Sequence, residues 1–509
     1  MSANKTIAKN TAFLYIRMLV TMAVTLYTSR VILNTLGVED YGTYSIVGGI
    51  VTMFSFFNSA MTSATNRFLA FDIGKNDLVQ LKKTFNATLN IHIVIALLIF
   101  LLAETVGLWF VNYRLNLPLH RMNAVNWVYQ FSVFTFLLGI IQVPYDALIV
   151  AREKMSIYAY MSIAEVVLKL LVVYLLVVFD YDKLIFYAVL LFLLSFITRS
   201  VHKIYCKVNF EESKYQFYYE KELYKKLLSF SGWSLFGNLA AVARGQGSNI
   251  LLNIFFGTVV NAAYGISMQV QSAVQVFVTN FQMAVNPQII KHYSAGNKEQ
   301  SLKLIFQSSK FSYFLMFLIV SPIIYNIDFV LGLWLKTPPN YTSSFVVMCL
   351  VGVLIDCISG PLMIGAQATG NIKWYQMVLG SFIFLCLPIS YLLLRIYYDP
   401  KIIFYVIIGV NAISLIGRVL FLKYLLDLNI YEFIHKVMKK IFVITLITFT
   451  ASQFITVYTL NPYVDFCLKS LGLTVLNLVS IFAVGLSDNE RNFVLSFAKA
   501  RVKKLSVKM

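Results

Sequence analysis

The sequence predicts an all-α polytopic membrane protein of about 14 transmembrane helices: two parallel six-helix repeats followed by two further C-terminal helices. Three observations predict it. Of the 509 residues 59% are hydrophobic and only 13% charged, with a mean hydropathy of +0.73, more apolar surface than a soluble domain can hide. Apolar runs of about 20 residues recur from end to end, each long enough to cross the hydrocarbon core as a helix. The third observation is that the chain repeats itself.

Apolar length, turn residues and charge place the spans at 11–36, 41–66, 84–111, 124–150, 157–179, 184–204, 227–255, 259–287, 310–335, 341–366, 375–397, 400–422, 440–460 and 465–487. The first is too long for a signal peptide and lacks a small-residue cleavage site, so it is expected to remain as a span. The organisation that follows is a first six-helix bundle (1–204), a cytoplasmic linker (205–226), a second bundle (227–439), two extra helices (440–487) and a basic tail (488–509). No connection exceeds roughly 25 residues, which leaves no room for a soluble catalytic domain.

The formal net charge is +19, but its distribution argues against nucleic acid. Basic residues crowd alternate connections: Lys75, Lys82 and Lys83; Arg152 and Lys154; Lys203 to Lys226; Lys291 to Lys310; Arg418 to Lys440; Arg491 to Lys508. The intervening connections hold Arg114, Arg121, Lys183, Lys336, Arg395 and Lys401. Roughly thirty against six is the positive-inside asymmetry of a cytoplasmic face, and the even span count puts both termini there. Five cysteines show neither C-x-x-C nor a pair in outward loops, so neither a disulfide nor a metal site is expected. No cofactor is called for.

For the repeat, "SRVILNTLGVEDYG" (29–42) aligns with "SNILLNIFFGTVVNAAYG" (248–265), allowing four inserted residues. In that register "IGKNDLVQL" (73–81) meets "GNKEQSLKL" (296–304), and "VPYDALIVA" (143–151) meets "GPLMIGAQA" (360–368). Six spans per repeat give both halves the same orientation, a plan that puts a substrate site between them.

Polar residues inside spans are the candidate site. Ser55, Ser59, Thr62 and Asn66 share one face of span 2; Gln271, Gln275, Thr279, Gln282 and Asn286 share one face of span 8. Interhelical hydrogen bonding accounts for serines and threonines; three glutamines with an asparagine point to a water-filled cavity. Arg17 and Arg30 lie about two turns inside the ends of span 1, where snorkelling to the interface competes with a place in a wet cavity. Arg244 lies deep in span 7 within "AVARGQGSNI", where Gly245 and Gly247 are expected to loosen the helix. Glu165 and Lys169, one turn apart, are expected to pair. Asp146, Glu104 and Asp356 have no local partner, and Asp356 is the candidate for ion coupling. His92 is expected as a packed core histidine. "VED" (38–40) and "DYD" (180–182) sit in outward loops, where a membrane glycosyltransferase would hold acidic residues.

The opening "NTAFLYIRMLVTMAVTLYTSRVILNTLGVEDYGTYSIVGGIV", then "FNSAMTSATNRFLAFDIGK", resembles the polysaccharide-biosynthesis flippases, the O-antigen and capsule flippases of Bacteroides-like bacteria within the multidrug/oligosaccharidyl-lipid/polysaccharide exporter superfamily. The "LGVEDYG" turn and the "PYDALIVAREK" end of span 4 carry most of the likeness. The resemblance implies two six-helix bundles in a V that open alternately to each side of a bacterial inner membrane. It implies a polyprenyl-pyrophosphate-linked oligosaccharide as substrate, with glycosyltransferases and a glycan polymerase as possible partners. Arg17 matches an early span-1 arginine that lines the cavity of related lipid II flippases, and Arg30 matches less closely. In those relatives two extra C-terminal helices form a groove for the lipid tail.

Residue chemistry fits such a substrate independently. A pyrophosphate needs charge-assisted donors, which guanidinium groups supply bidentately, and a glycan needs amides and hydroxyls. The rival within the superfamily, a cation-coupled multidrug exporter, would use acidic and aromatic residues. A membrane glycosyltransferase or polymerase would be an enzyme, and polymerases usually need a large outward loop. The sequence therefore predicts a non-enzymatic flippase.

Overall fold

A computed structural model of the chain describes residues 3–52, 55–113, 119–256, 258–335, 338–453, 461–492 and 495, some of them, Arg30 included, by backbone alone. The described residues are helical with no strand. The first repeat contains α1 (Ala3–Thr52), α2 (Ser55–Gly74), α3 (Leu78–Leu102), α4 (Leu108–Tyr113), α5 (Met122–Ala151), α6 (Met155–Val178) and α7 (Lys183–Asn209). The second contains α8 (Lys221–Phe256), α9 (Thr258–Ser294), α10 (Lys298–Tyr325), α11 (Ile327–Leu335), α12 (Thr342–Thr369), α13 (Lys373–Tyr397) and α14 (Ile402–Leu426). After it come α15 (Ile430–Phe433), α16 (Lys439–Ser452) and α17 (Pro462–Ser480).

Nine helices among the described residues are long and apolar enough to cross a membrane. They correspond to predicted spans 3–6, 9–12 and 14. α8 and α9 are long enough, at 36 and 37 residues, but are not among them because amides, serines and glycines interrupt their interiors. The first two spans of the second repeat are thus its more polar members. Within α1 the backbone turns at Gly37 (φ 77°, ψ 169°), in the "LGVEDYG" stretch. A side chain rarely adopts that conformation, so glycine permits the junction.

The repeat is visible in a turn. After α2, Asn76 is left-handed (φ 57°) and Asp77 Oδ1 accepts from Gln80 N at 2.8 Å. After α9, Gly296 is left-handed (φ 82°) and Asn297 Oδ1 accepts from Gln300 N at 3.2 Å. Four backbone bonds around the first turn, from Lys75 N to Phe71 O through Leu81 N to Asp77 O, have counterparts around the second, from Ala295 N to Lys291 O through Ser301 N to Asn297 O. Asp77 therefore matches Asn297, three residues from the register predicted by aligning apolar sequence. Asn66 now matches Asn286, and Ser59 matches Thr279. The reason is chemical: apolar stretches slide past one another without penalty, whereas a helix cap fixes one residue.

Contacts divide the chain into two units: 1–241 with 283–301 and 367–380, and 242–282 with 302–366 and 381–509. In the first unit, Tyr129 and Val128 anchor a core against Val47, Val111, Leu184 and Ala188. Glu153 accepts from Lys291 and Gln288 there. Arg67 donates from Nε and Nη2 to the Gln367 and Ala368 carbonyls, each at 3.1 Å, and so caps the end of α12. In the second unit, Phe345, Phe404, Ile403 and Leu394 form the core with Leu252 and Tyr264. The extra helices are bound to α10 and α11. Tyr313 shares a 2.6 Å bond with Thr445, Asn477 donates to Ser321 at 2.7 Å, and Phe329 stacks on Phe466.

Candidate functional site

The structure places the predicted residues in three settings, beginning with the acidic loops. Arg121, at the start of α5, donates to Asp40 from Nε (3.0 Å) and Nη2 (2.7 Å), and to Asp182 from Nη1 (2.7 Å) and Nη2 (3.0 Å). Asp182 also caps α7, accepting from Leu184 N and Ile185 N at 3.2 Å. Both carboxylates are thereby engaged by one fork, so Asp40 of "VED" and Asp182 of "DYD" hold loops together. That geometry leaves them poorly disposed for glycosyl chemistry. The Arg121 guanidinium is pulled further up by Asp182, and the Asp182 carboxyl is held below its ordinary value by Arg121.

Two more acidic residues thought to lack partners have them. Asp146 accepts from His202 Nδ1 at 2.8 Å and Gln142 Nε2 at 3.0 Å, with Arg199 3.9 Å away. Glu104 accepts from Gln130 at 3.0 Å. No ion pair joins Glu165 to Lys169 among the described residues. His92 is fully buried and bonded to the Thr88 carbonyl at 2.8 Å, as a packed histidine would be.

The intramembrane arginines form the second setting. Arg17, half-buried on α1, lies over the Tyr158 ring of α6 with its guanidinium carbon 5.1 Å from the centroid. Arg244 donates from Nη1 to Asn411 Oδ1 of α14 at 2.8 Å, and Asn411 in turn donates to the Gly352 carbonyl at 3.3 Å. The helix around Arg244 is continuous, contrary to the expectation from Gly245 and Gly247. Gly247 serves close packing instead: a Cβ there would lie 2.6 Å from Leu387. Gly245 lends its carbonyl to the Tyr264 hydroxyl at 3.1 Å. The side chain of Arg30 lies outside the described residues.

The polar stripes are the third setting. Ser59 is exposed and accepts from Asn238 at 3.4 Å. Asn66 and Asn286, equivalent in the corrected register, each bury an amide oxygen with no hydrogen-bond partner among the described residues. Gln271 accepts from Cys349 Sγ at 2.9 Å, an interhelical tie. Further along α9, Gln275, Thr279 and Gln282 line a cavity of about 210 Å³ with Asp356 and Ser359 of α12. Arg418 of α14 lines it too. Sequence reasoning counted Arg418 among the cytoplasmic charges and missed it. The signal was present: "LIGRVL" (415–420) is apolar on both sides of the arginine, and the sixth span of the first repeat also carries an arginine, in "FITRSV" (196–201).

With this geometry in hand, the fold can be compared with others. No protein-family model matches the sequence, and no curated protein matches it. Solved structures do. A MATE transporter in complex with MaD3S is 13% identical with a TM-score of 0.70, over 84% of this chain and 97% of that one. An outward-facing multidrug resistance MATE family transporter of the MOP superfamily is 12% identical with a TM-score of 0.69, over 84% and 98%. A Pyrococcus furiosus MOP superfamily transporter, described by a binding pocket of reverse polarity, is 13% identical with a TM-score of 0.67, over 84% and 98%. The chain therefore has the fold of MATE and MOP superfamily transporters. About a sixth of it is left over, the size of the stretch after α14.

Proposed function

We propose that this chain moves a polyprenyl-pyrophosphate-linked oligosaccharide, an O-antigen or capsule repeat unit, from the inner to the outer leaflet of a bacterial plasma membrane by alternating access. The observation that carries this reading is Arg244. A guanidinium deep in a membrane helix costs roughly 2.5–3.5 kcal/mol on insertion scales and is retained where it has work to do. Its partner is the Asn411 amide, which orients the group, and among the described residues no carboxylate forms an ion pair with it. Such a group suits an anion, and a pyrophosphate most of all, because the guanidinium fork matches two phosphate oxygens. Arg17, set against a tyrosine ring, adds a second cation of the same kind. Asn66, Asn286, Gln275 and Gln282 supply the donors and acceptors that a glycan requires.

The fold supports transport as such, and no catalytic step is invoked. Glycosyltransferases would supply the loaded lipid and a polymerase would consume it. A second reading, a cation-coupled drug exporter, draws on Asp356 in its polar cavity. The deciding experiment reconstitutes the protein in liposomes with a fluorescent polyprenyl-pyrophosphate glycan. Arg244→Ala should slow headgroup translocation about tenfold or more, the loss of a charge-assisted contact, and Arg244→Lys should retain part of it. Wild-type rates in Arg244→Ala, or export of a cationic dye that depends on Asp356 with no glycolipid movement, would replace this reading with the exporter.

A further inference from the structure

We infer that the cavity walled by α9, α10, α12 and α14 is a subsite for one electrically neutral sugar ring, with Asp356 and Arg418 as its two charged walls. The inference rests on the proposed function and names which part of the substrate this bundle reads.

The walls are preformed. Gln275, Thr279 and Gln282 follow at intervals of four and three on α9, and Asp356, Gly360 and Met363 do the same on α12. Each set spans two turns, about 10 Å. Gln282 is fixed, donating to Ser312 Oγ and to the Cys357 carbonyl, each at 3.0 Å. Gly360 makes room for it: a Cβ at 360 would fall 2.5 Å from Gln282 Oε1. The volume of about 210 Å³ equals about seven waters and falls below the roughly 300–1,000 Å³ of pockets for drug-sized ligands. It suits a single hexose.

Charge selects the occupant. The guanidinium is always positive, and Asp356 supplies one negative charge, so the formal sum is zero. A coupling cation entering beside Asp356 would meet Arg418, and an anion attracted by Arg418 would meet Asp356. A neutral ring suits both. Its hydroxyls donate to the carboxylate and its oxygens accept from the guanidinium; Gln275 and Ser359 can do either, while Gln282 and Thr279, which donate to Ser312, Cys357 and Val276, offer acceptor oxygens.

The first repeat shows the same two residue types in a closed arrangement. Arg199 there stands 3.9 Å from Asp146 Oδ2, and Oδ1 of the same carboxylate is bonded to His202 and Gln142. Asp146 follows Pro144 by two residues, whereas Asp356 precedes the matching Pro361 by five. That displacement of about two turns along the helix accompanies an open cavity in the second bundle.

The test uses the full-length protein in nanodiscs and saturation-transfer NMR with free N-acetylglucosamine, glucose, glucuronate and glucosamine at millimolar concentration. The neutral sugars should receive saturation, the charged ones much less, and replacing sodium by choline should change nothing. Asp356→Asn and Arg418→Gln should each weaken the neutral-sugar signal roughly tenfold. Met363→Trp, which fills the cavity without touching a charge, should abolish it, with thermal melting confirming that each variant is folded. Signals unaffected by all three variants, no saturation of any sugar, or sodium-dependent stabilisation that needs Asp356 would each overturn the subsite. Sugar binding that follows this pattern while the glycolipid fails to flip would leave the subsite standing and remove the proposed function. Flipping that survives Met363→Trp without sugar binding would do the reverse.

Discussion

Arg121 shows how a residue can be legible in type and illegible in role. Its position in a short outward connection was plain, as were two acidic turns, but Asp40 and Asp182 lie 81 and 61 residues away in sequence. Only the folded bundle brings the three together. The clasp carries a pH signature. Hydrogen bonds from Arg121 hold the Asp182 carboxyl below its ordinary value, helped by the Ile185 and Leu184 N–H groups, while burial pushes the other way. A depressed carboxyl stabilises the fold above its unfolded pKa of about 4 and loses that contribution as pH falls through the lower folded value. Arg121→Gln should therefore lower stability at pH 7 by about 1 kcal/mol, the scale of a half-exposed ion pair. The gap to the wild type should close as pH drops below about 4. Thermal melting in detergent from pH 7 to pH 2.5 checks this, and a constant gap across the range would assign Arg121 a different role. Arg418 makes the opposite point: its flanking apolar residues were readable, but a basic residue near a predicted span end is ordinarily assigned to the interface, and only packing distinguished the two.

The order of the elements was well marked because apolar length and turn residues agree on it, whereas helix ends were not: α10 starts at Lys298, ahead of the predicted 310, and α9 runs to Ser294, past the predicted 287. Fine register was not well marked either, since one apolar face aligns with another at several offsets, and the repeat needed its Asp77 and Asn297 caps to be fixed. The last helices could be counted, but their attachment could not be read. That attachment includes a buried ion pair: Lys310 of α10 donates to Glu490 at 2.6 Å, with side chains 6% and 9% exposed. Burial alone would raise the Glu490 carboxyl, but Lys310 and the Ser487 N–H outweigh it and hold the group below its ordinary value. Removing one partner strands a charge in low dielectric, which costs about 3–5 kcal/mol, whereas replacing both by apolar groups is close to neutral. Lys310→Met should accordingly destabilise the protein strongly, and Lys310→Met with Glu490→Leu should recover most of the loss. Melting curves of the two single variants and the double variant measure the coupling. Additive effects would mean that the C-terminal segment is held by contacts other than this pair, such as its hydrogen bonds to α10 and the Phe329–Phe466 stack.

At the scale of the whole molecule, the proposed function raises the question of what would drive a pyrophosphate-linked lipid outward. A pyrophosphate-linked lipid carries negative charge, and a bacterial cytoplasm is electrically negative, so the membrane potential itself favours export. Each elementary charge moved through 100 mV is worth about 2.3 kcal/mol, roughly a fiftyfold bias. One to two net charges would give tens to thousands of fold without any coupling ion. In the proposed scheme the anion ligands are the basic residues, Arg17 against a ring in the first unit and Arg244 on an amide in the second. Asp146 and Glu104 are engaged by neighbouring side chains, and Asp356 shares its cavity with an arginine, a poor setting for a carried cation. Liposomes with an imposed potassium-diffusion potential and no sodium or proton gradient should therefore flip the glycolipid outward at a rate that rises with the potential. Arg17→Ala and Arg244→Ala should each slow that transport about tenfold or more, while Asp356→Asn should be milder and act through recognition of the glycan. Transport that persists in the arginine variants, stops in Asp356→Asn and requires a sodium or proton gradient would make this an ion-coupled antiporter centred on Asp356.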